Sequence, residues 1–306
     1  MKVTSELSPS FFPRGLCATI GNFDGVHAGH RLLIENAAKE AAERNLDFAA
    51  ITFWPHPRQV LHSNHIPLSS LSSRRRLLAA CGVPLLVELP FTHEFASLSA
   101  ENFIEFWLLP ARLRHLAVGH DFLMGHKRQG NRQLLTELSR KNGFTLSRLP
   151  VLQIDGQTVS SSLLRQLLAD GQVAKAARML GRFYSVEGEI EAGTARGRKM
   201  GFPTANLGQI HTLLPKDGVY ATIAHIDGKA FAAVTNIGKN PTFNAAARTV
   251  ETFLLDASGD FYGKNMTLDF VDRLRDEKRF EDMDSLSAQI ALDAAKARTL
   301  AEAFIQ

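Results

Sequence analysis

Residues 16–45 read LCATIGNFDGVHAGHRLLIENAAKEAAERN, which predicts a strand, a tight turn and a helix in succession. The uncharged run at 16–21 is typical of a buried strand. Leu33, Ala37 and Ala41 follow at intervals of four residues and form one apolar stripe along a helix over 29–45. The glycine-rich turn therefore delivers its last residues to the start of this helix.

The first half of the chain continues to alternate between strand and helix patterns. Further buried strands are predicted at 47–53, 84–91 and 115–122, with helical stretches between them. Such alternation indicates an α/β doubly wound parallel sheet. In these sheets ligands bind at the carboxyl ends of the strands, where the segments GNFDG, WPHP and GHDF fall.

After residue 181 the pattern changes to short runs separated by turn residues, which is typical of an antiparallel barrel or sandwich. The predicted strands lie at 183–190, 218–226, 229–238, 249–256 and 266–274. A final helix is expected from about Ser285, with Leu286, Ile290 and Leu292 on its buried side. We therefore predict two domains, 1–181 and 182–306.

Composition narrows the class of protein. The chain has 306 residues, 45% of them hydrophobic and 22% charged, which suits a globular protein with two cores. Two cysteines are too few for a disulfide framework, and no window is long and apolar enough for a membrane span or a signal peptide. We expect a cytoplasmic protein that does not bind a membrane.

The formal net charge is +4, and the positive excess lies in the first half. This charge suits a polyphosphate substrate as well as a nucleic acid. The one dense basic run is RRR at 74–76, which a solvated helix face explains, and no nucleic-acid-binding module accompanies it. We therefore expect no nucleic-acid partner, and nothing in the sequence implies an obligate protein partner.

The turn at 20–30 contains His27 and His30, which could hold a metal, bind a phosphate or simply cap the helix. Histidines three residues apart lack the spacing of a zinc-binding helix, and a metal would need a third ligand. A helix N-terminus preceded by glycines favours an anion, because it presents unpaired N–H groups and a partial positive charge. The two imidazoles would add neutral or cationic donors to a phosphate site.

The motif GNFDGVHAGH resembles the HxGH motif of the nucleotidyltransferase superfamily, in the form found in bifunctional riboflavin kinase/FAD synthetases. The resemblance extends to TFWPHP (52–57), VGHDFLMGHKRQGN (118–131) and VSSSLLR (159–165). The last segment departs from the usual Ser-Ser-Thr-Arg-x-Arg of the family, because Ser162 replaces the threonine and Leu163 the first arginine. Serines that cap a helix are compatible with phosphate binding at the same N-terminus.

For the first domain, the resemblance implies a Rossmann-like fold that transfers AMP from ATP to FMN, giving FAD and pyrophosphate. His27 and His30 would contact the ATP phosphates as catalytic residues. The remaining residues that the resemblance assigns to nucleotide or substrate binding are Gly21, Phe23, Asp24, Gly25, His56, Asp121, Ser161, Ser162 and Arg165.

The second half contains GTARGRKMGFPTANL at 193–207, which is glycine-rich and basic but is not a Walker A loop. Thr204 and Asn206 offer a hydroxyl and an amide oxygen two residues apart, hence on one face of an extended segment. Mg²⁺ bound mainly by nucleotide phosphates needs one or two such protein ligands. A plain surface loop is the alternative from the residues alone.

FPTANL also matches the riboflavin kinase motif, and further matches follow at 215–221, 236–243, 250–256 and 261–264. The resemblance implies a C-terminal antiparallel β-barrel with a terminal helix, which phosphorylates riboflavin to FMN with ATP and Mg²⁺. Glu251 would be the catalytic base, and Thr204 and Asn206 the metal ligands. The nucleotide would be bound by Gly193, Arg198, Gly201 and Asn236.

Two rival functions remain open at this stage. One half could have lost its chemistry, and Leu163 makes the adenylyl-transfer half the weaker of the two. Alternatively, the folds could serve a non-catalytic flavin-binding or RNA-binding protein. The bifunctional enzyme that the resemblance implies would act on the small-molecule substrates ATP, riboflavin and FMN, with FAD as the final product.

Overall fold

The computed structural model describes residues 1–62, 64–191, 204–239 and 248–305, which fold as two compact units, Met1–Ser160 and Ser161–Gln306. Helices α7 and α8 (Ser161–Ala169 and Val173–Leu180) belong to the second unit. α8 packs on strands of the barrel described below. The predicted domain boundary after residue 181 stays a prediction.

The first unit contains a six-stranded sheet whose strands are all parallel. Its strands are β1 (Lys2–Thr4), β2 (Leu16–Ile20), β3 (Asp47–Trp54), β4 (Leu85–Pro90), β5 (Leu113–Val118) and β6 (Thr145–Arg148), in the order β1-β4-β3-β2-β5-β6. Its helices are α1 (Ala28–Glu43), α2 (Pro57–Leu61), α3 (Leu71–Ala80), α4 (His93–Ala96), α5 (Ala100–Phe103) and α6 (Arg132–Asn142). A π-helical turn spans Ile104–Leu108, and the short strands β7 (Gln153–Ile154) and β8 (Gln157–Thr158) form a hairpin.

Apolar side chains cover both faces of this sheet, as a doubly wound fold requires. α1 buries Leu33, Ile34, Ala37 and Ala41, so the predicted apolar stripe is confirmed. The parallel α/β fold class is likewise confirmed. The basic run at 74–76 is not simply a solvated face, because Arg74 is only 4% exposed.

The second unit is built around a closed antiparallel barrel, in the order β10-β13-β12-β11-β14-β9. Its strands are β9 (Tyr184–Glu191), β10 (Thr204–Gly208), β11 (Gly218–Ile226), β12 (Lys229–Lys239), β13 (Arg248–Leu254) and β14 (Asn265–Arg275). Inside the barrel, three buried hydroxyls are linked: Thr222 Oγ1 to Thr235 Oγ1 at 2.8 Å, and Thr235 Oγ1 to Thr252 Oγ1 at 3.0 Å. The predicted barrel with a terminal helix is confirmed.

In the terminal helix α9 (Met283–Ala301), Leu286 and Ile290 are half-buried, whereas Leu292 lies on another face. Leu292 is 59% exposed, so its predicted burial is wrong. The fully buried residues of the helix are Asp293, Ala297 and Ala301, which recur every four residues and continue the face of Leu286 and Ile290. Small alanines allow close packing on the barrel, and Asp293 is held by Arg275 Nε at 2.9 Å. A short apolar pattern could not show that a carboxylate belongs to the buried face.

Among the described residues, no helix combines the length and apolar character that a membrane span requires.

Candidate active sites

The first site forms where β2 ends and α1 begins. His27 is the N-cap of α1, and its Nδ1 accepts the backbone N–H of His30 at 3.2 Å. An Nδ1 atom that accepts a hydrogen bond carries no proton, so the neutral ring of His27 carries its proton on Nε2. His27 can therefore satisfy a helix-terminal N–H and still donate to a ligand.

His30 stacks on this ring, with centroids 3.6 Å apart, and the ring of Phe23 meets it edge-on at 5.3 Å. Burial lowers the pKa of His30 well below its usual value of 6.5. The ring of His30 is thus neutral at pH 7. Of the two states that the sequence left open, the structure favours a neutral hydrogen-bond donor for His30.

The glycines and their neighbours shape this turn mainly by packing. A Cβ at Gly21 would lie 3.2 Å from the ring of Phe23, and one at Gly29 would lie 3.2 Å from the ring of His27. Phe23 itself is fully buried. Asp24 is also buried, and its Oδ1 accepts the backbone N–H of Leu68 at 2.8 Å. These contacts give Phe23 and Asp24 a structural role in the turn.

The order of the strands places this turn at the switch point of the sheet. The chain runs from β2 to β3 on one side and later to β5 on the other, so the carboxyl ends of β2 and β5 border a crevice. Asp121 lies just beyond β5, with its side chain 76% exposed. The structure therefore brings the sequence-predicted Asp121 to the same sheet edge as the histidine turn.

The side chains of Asp24, His56 and His65 place atoms that could bind a metal ion within 4.8 Å of one another. However, His56 caps α2 and its Nδ1 accepts the N–H of Arg58 at 3.1 Å, which leaves the proton of the neutral ring on Nε2. A metal-bound histidine normally donates from its second nitrogen. As arranged, His56 is a hydrogen-bond donor. His65 was missed from the sequence because it belongs to no motif.

The serine-rich segment forms the beginning of α7 in the second unit. Ser161 and Ser162 lie at its N-terminus, and Arg165 lies one turn later, where it is half-buried. Placement at a helix N-terminus suits binding of a phosphate. The role of these three residues stays a prediction.

The second site lies on the outer face of the barrel. β10 alternates, with Ala205 and Leu207 buried and Thr204 and Asn206 half-buried, so the latter two share one face as the spacing predicts. β13 lies between β10 and β12, and Glu251 pairs with Asn206 on one side and Asn236 on the other. Directly paired residues have Cβ atoms about 5 Å apart on the same face. A carboxylate thus stands between two amides.

Two carboxylates that sequence reasoning missed extend this row. Glu191 on β9 pairs with Asn206, and the Oε1 of Glu277 accepts Asn236 Nδ2 at 3.3 Å. A Cβ at Gly238 would overlap the same Glu277 oxygen, so this glycine makes room for the carboxylate. The charged segment RDEKRF gives no periodic signal that distinguishes Glu277. Gly193, Arg198 and Gly201, which were predicted for phosphate binding, lie outside the described residues.

Two family models match the chain, one for each candidate site. FAD synthetase matches residues 11–163 and riboflavin kinase matches residues 180–301. A bifunctional riboflavin kinase/FMN adenylyltransferase of Escherichia coli K12 is 37% identical, over 93% of this chain and 92% of the relative. The chain belongs to the bifunctional riboflavin kinase/FMN adenylyltransferase family.

Other members of the family show the same full-length likeness. The enzymes so named in Pseudomonas fluorescens and Bacillus subtilis are 35% and 33% identical, and each match covers at least 90% of both chains. A crystal structure of a protein described as a macrolide-efflux protein from Streptococcus pneumoniae is 30% identical, with a TM-score of 0.85 over 93% of this chain and 94% of that one.

The two sites divide between the two family models. The histidine turn and Asp121 fall within the FAD synthetase match, whereas Thr204, Asn206 and Glu251 fall within the riboflavin kinase match. In this member of the family, the paired positions of Asn206, Glu251 and Asn236 are a feature that the sequence motifs alone did not reveal.

Proposed function

We propose that this chain phosphorylates riboflavin to FMN at the barrel and transfers AMP from ATP to FMN at the parallel sheet, in the cytoplasm. The observation that carries the proposal is the position of Glu251 between Asn206 and Asn236, in a chain that also has the histidine turn at its sheet edge. The two reactions thus use separate sets of residues.

For the kinase reaction, Glu251 accepts the proton of the terminal ribityl hydroxyl as its oxygen attacks the γ-phosphorus of ATP. The bond from that phosphorus to the bridging oxygen breaks, and ADP leaves. A carboxylate held at hydrogen-bond distance from a substrate hydroxyl is a suitable general base. Asn206 and Asn236 flank this base and orient the hydroxyl and the nucleotide.

The oxygen donors beside Glu251 fit a magnesium ion. The hydroxyl of Thr204 and the amide oxygen of Asn206 share one face of β10 and would hold Mg²⁺ with the nucleotide phosphates. When bound, Mg²⁺ neutralises charge on the phosphates of ATP. Neither residue needs to change its protonation state for this role.

For adenylyl transfer, a phosphate oxygen of FMN attacks the α-phosphorus of ATP and pyrophosphate leaves. No protein nucleophile is needed, so the chain contributes by positioning the reactants and by stabilising negative charge. His27 and His30 donate hydrogen bonds to the phosphates at the N-terminus of α1. Ser161, Ser162 and Arg165 are proposed to bind the triphosphate, and Asp121 and His56 to orient substrate.

A time course with riboflavin, ATP and Mg²⁺, in which FMN and FAD are separated and quantified, tests the proposal. We expect FMN to form first and FAD to follow. FMN without FAD, or FAD formed solely from added FMN, would show that one half is inactive. Flavin binding without turnover would instead support a non-catalytic protein and would contradict both proposed reactions.

A further inference from the structure

The turn between β2 and α1 has a strained backbone. Phe23 and Val26 have φ angles of 48° and 40°, and Gly25 has a φ of 81°. The left-handed region is unfavourable for a bulky side chain and most of all for a β-branched one such as Val26. Such conformations cost about 1–3 kcal/mol each and persist only where surrounding contacts enforce them.

One short segment, residues 68–74, makes three of the contacts that hold this turn. The backbone N–H of Leu68 donates to Asp24 Oδ1 at 2.8 Å. The Oγ of Ser69 accepts the N–H of Gly25 at 3.2 Å. Segment 68–74 thus contacts the turn through the backbone of Leu68 and through the side chain of Ser69.

Arg74 supplies the third contact. Its Nη1 donates to the carbonyl oxygen of Asn22 at 3.2 Å, and its Nη2 donates to that of Phe53 at 3.5 Å. The guanidinium therefore links the residues that follow β2 to the end of the neighbouring strand β3. Its face also lies 5.6 Å from the ring centroid of Trp54.

A cation in this position is costly, because Arg74 is only 4% exposed. Burial lowers the pKa of its guanidinium, and the carboxylates of Glu88 and Asp24 oppose that shift. The neighbouring Arg76 is exposed and contacts Ser73 on its own helix. The buried arginine thus differs from the rest of the basic run by its contacts with the turn.

We propose that segment 68–74, with Arg74 at its centre, positions the histidine turn for adenylyl transfer. Arg74 is a positioning residue, because it reaches the backbone carbonyls of Asn22 and Phe53 and needs no contact with ATP. This inference rests on the proposed function of the first unit. Displacement of reacting groups by about 1 Å costs about 100-fold in rate, so a loosened turn should lower kcat.

The test compares Arg74→Met, Arg74→Lys and the matched surface variant Arg76→Met. FAD formation from FMN is measured over a range of ATP concentrations, each variant well below its own unfolding midpoint, with riboflavin phosphorylation measured on the same samples. We expect Arg74→Met to lower kcat for FAD formation about 100-fold. Arg74→Lys should recover part of the loss, and Arg76→Met should behave as the unmutated enzyme. Riboflavin phosphorylation should not change in any of them.

An unchanged kcat in folded Arg74→Met, or an equal loss in Arg76→Met, would overturn the positioning role. If Arg74→Met does not fold, kcat for FAD formation is measured instead on Ser69→Ala. This variant removes the acceptor for Gly25 N–H, and we expect a loss of about fivefold in kcat, as for one hydrogen bond. No loss in either Ser69→Ala or Arg74→Lys would contradict the proposal. Failure of the proposed function is recognised separately, because the unmutated enzyme would then form no FAD.

Discussion

Replacement of Glu251 by Gln should abolish FMN formation and spare FAD formation from supplied FMN. Gln matches Glu in length and shape, so its position between Asn206 and Asn236 is kept. Its amide cannot take up the hydroxyl proton at pH 7. Loss of a positioned general base costs 10²–10⁴-fold in rate, or about 2.7–5.4 kcal/mol of barrier at 1.36 kcal/mol per tenfold.

The assay follows riboflavin phosphorylation and FMN adenylylation separately in the same preparation. Glu189→Gln is a matched control, since Glu189 is a half-buried carboxylate of the same barrel that pairs with Gly208 and Asn265 and has neither Asn206 nor Asn236 as a partner. The control should retain both activities. If Glu251→Gln phosphorylates riboflavin within tenfold of the unmutated rate, Glu251 is not the general base. Loss of both activities in a folded Glu251→Gln protein would refute the separation of the two sites.

Three further predictions follow from contacts at the two sites and on α9. His30→Ala should lower FAD formation about 100-fold, as for one preorganised donor. Because the folded-state pKa of His30 lies below 6.5, the contribution of its neutral ring to the stability of the unmutated protein should be complete above pH 6.5 and be lost on acidification. Denaturant titrations at several pH values should therefore show a shallower fall in stability for the variant. Thr204→Val should raise the Mg²⁺ concentration that half-saturates riboflavin phosphorylation, with FMN adenylylation as the internal control. Asp293→Ala should lower the free energy of unfolding of the second unit by about 3–5 kcal/mol, because it leaves the Arg275 guanidinium without this carboxylate partner. An unchanged unfolding midpoint in calorimetry would contradict this prediction.

The sequence predicted the fold well where one kind of periodicity dominated. The strand at 16–21, the helix after it and the strand at 218–226 all appear at or near the expected residues. The outer strands β1 and β6 were missed, because they have only three and four residues and lack a long apolar run. For α9 the pattern selected Leu292, whereas an ion pair with Arg275 fixes which face is buried.

The site was predicted in part, because motifs name residues but not their neighbours across a sheet. The spacing placed Thr204 and Asn206 on one face, yet nothing local predicts that Glu251 pairs with Asn206 from a distant strand. Glu277 and His65 escaped notice for the same reason. Asp24 belongs to a binding motif, but its carboxylate accepts a backbone N–H from Leu68, a contact between segments that lie far apart in sequence.

The closed barrel also determines how Glu251 can be observed. Its strand has a partner on each side, so its backbone amide should exchange with solvent deuterium chiefly when the barrel opens. Its protection factor then reports the global stability of the second unit. Binding of riboflavin or ATP should slow this exchange by the amount that mass action adds to stability, so hydrogen exchange at one amide can measure ligand affinity without turnover.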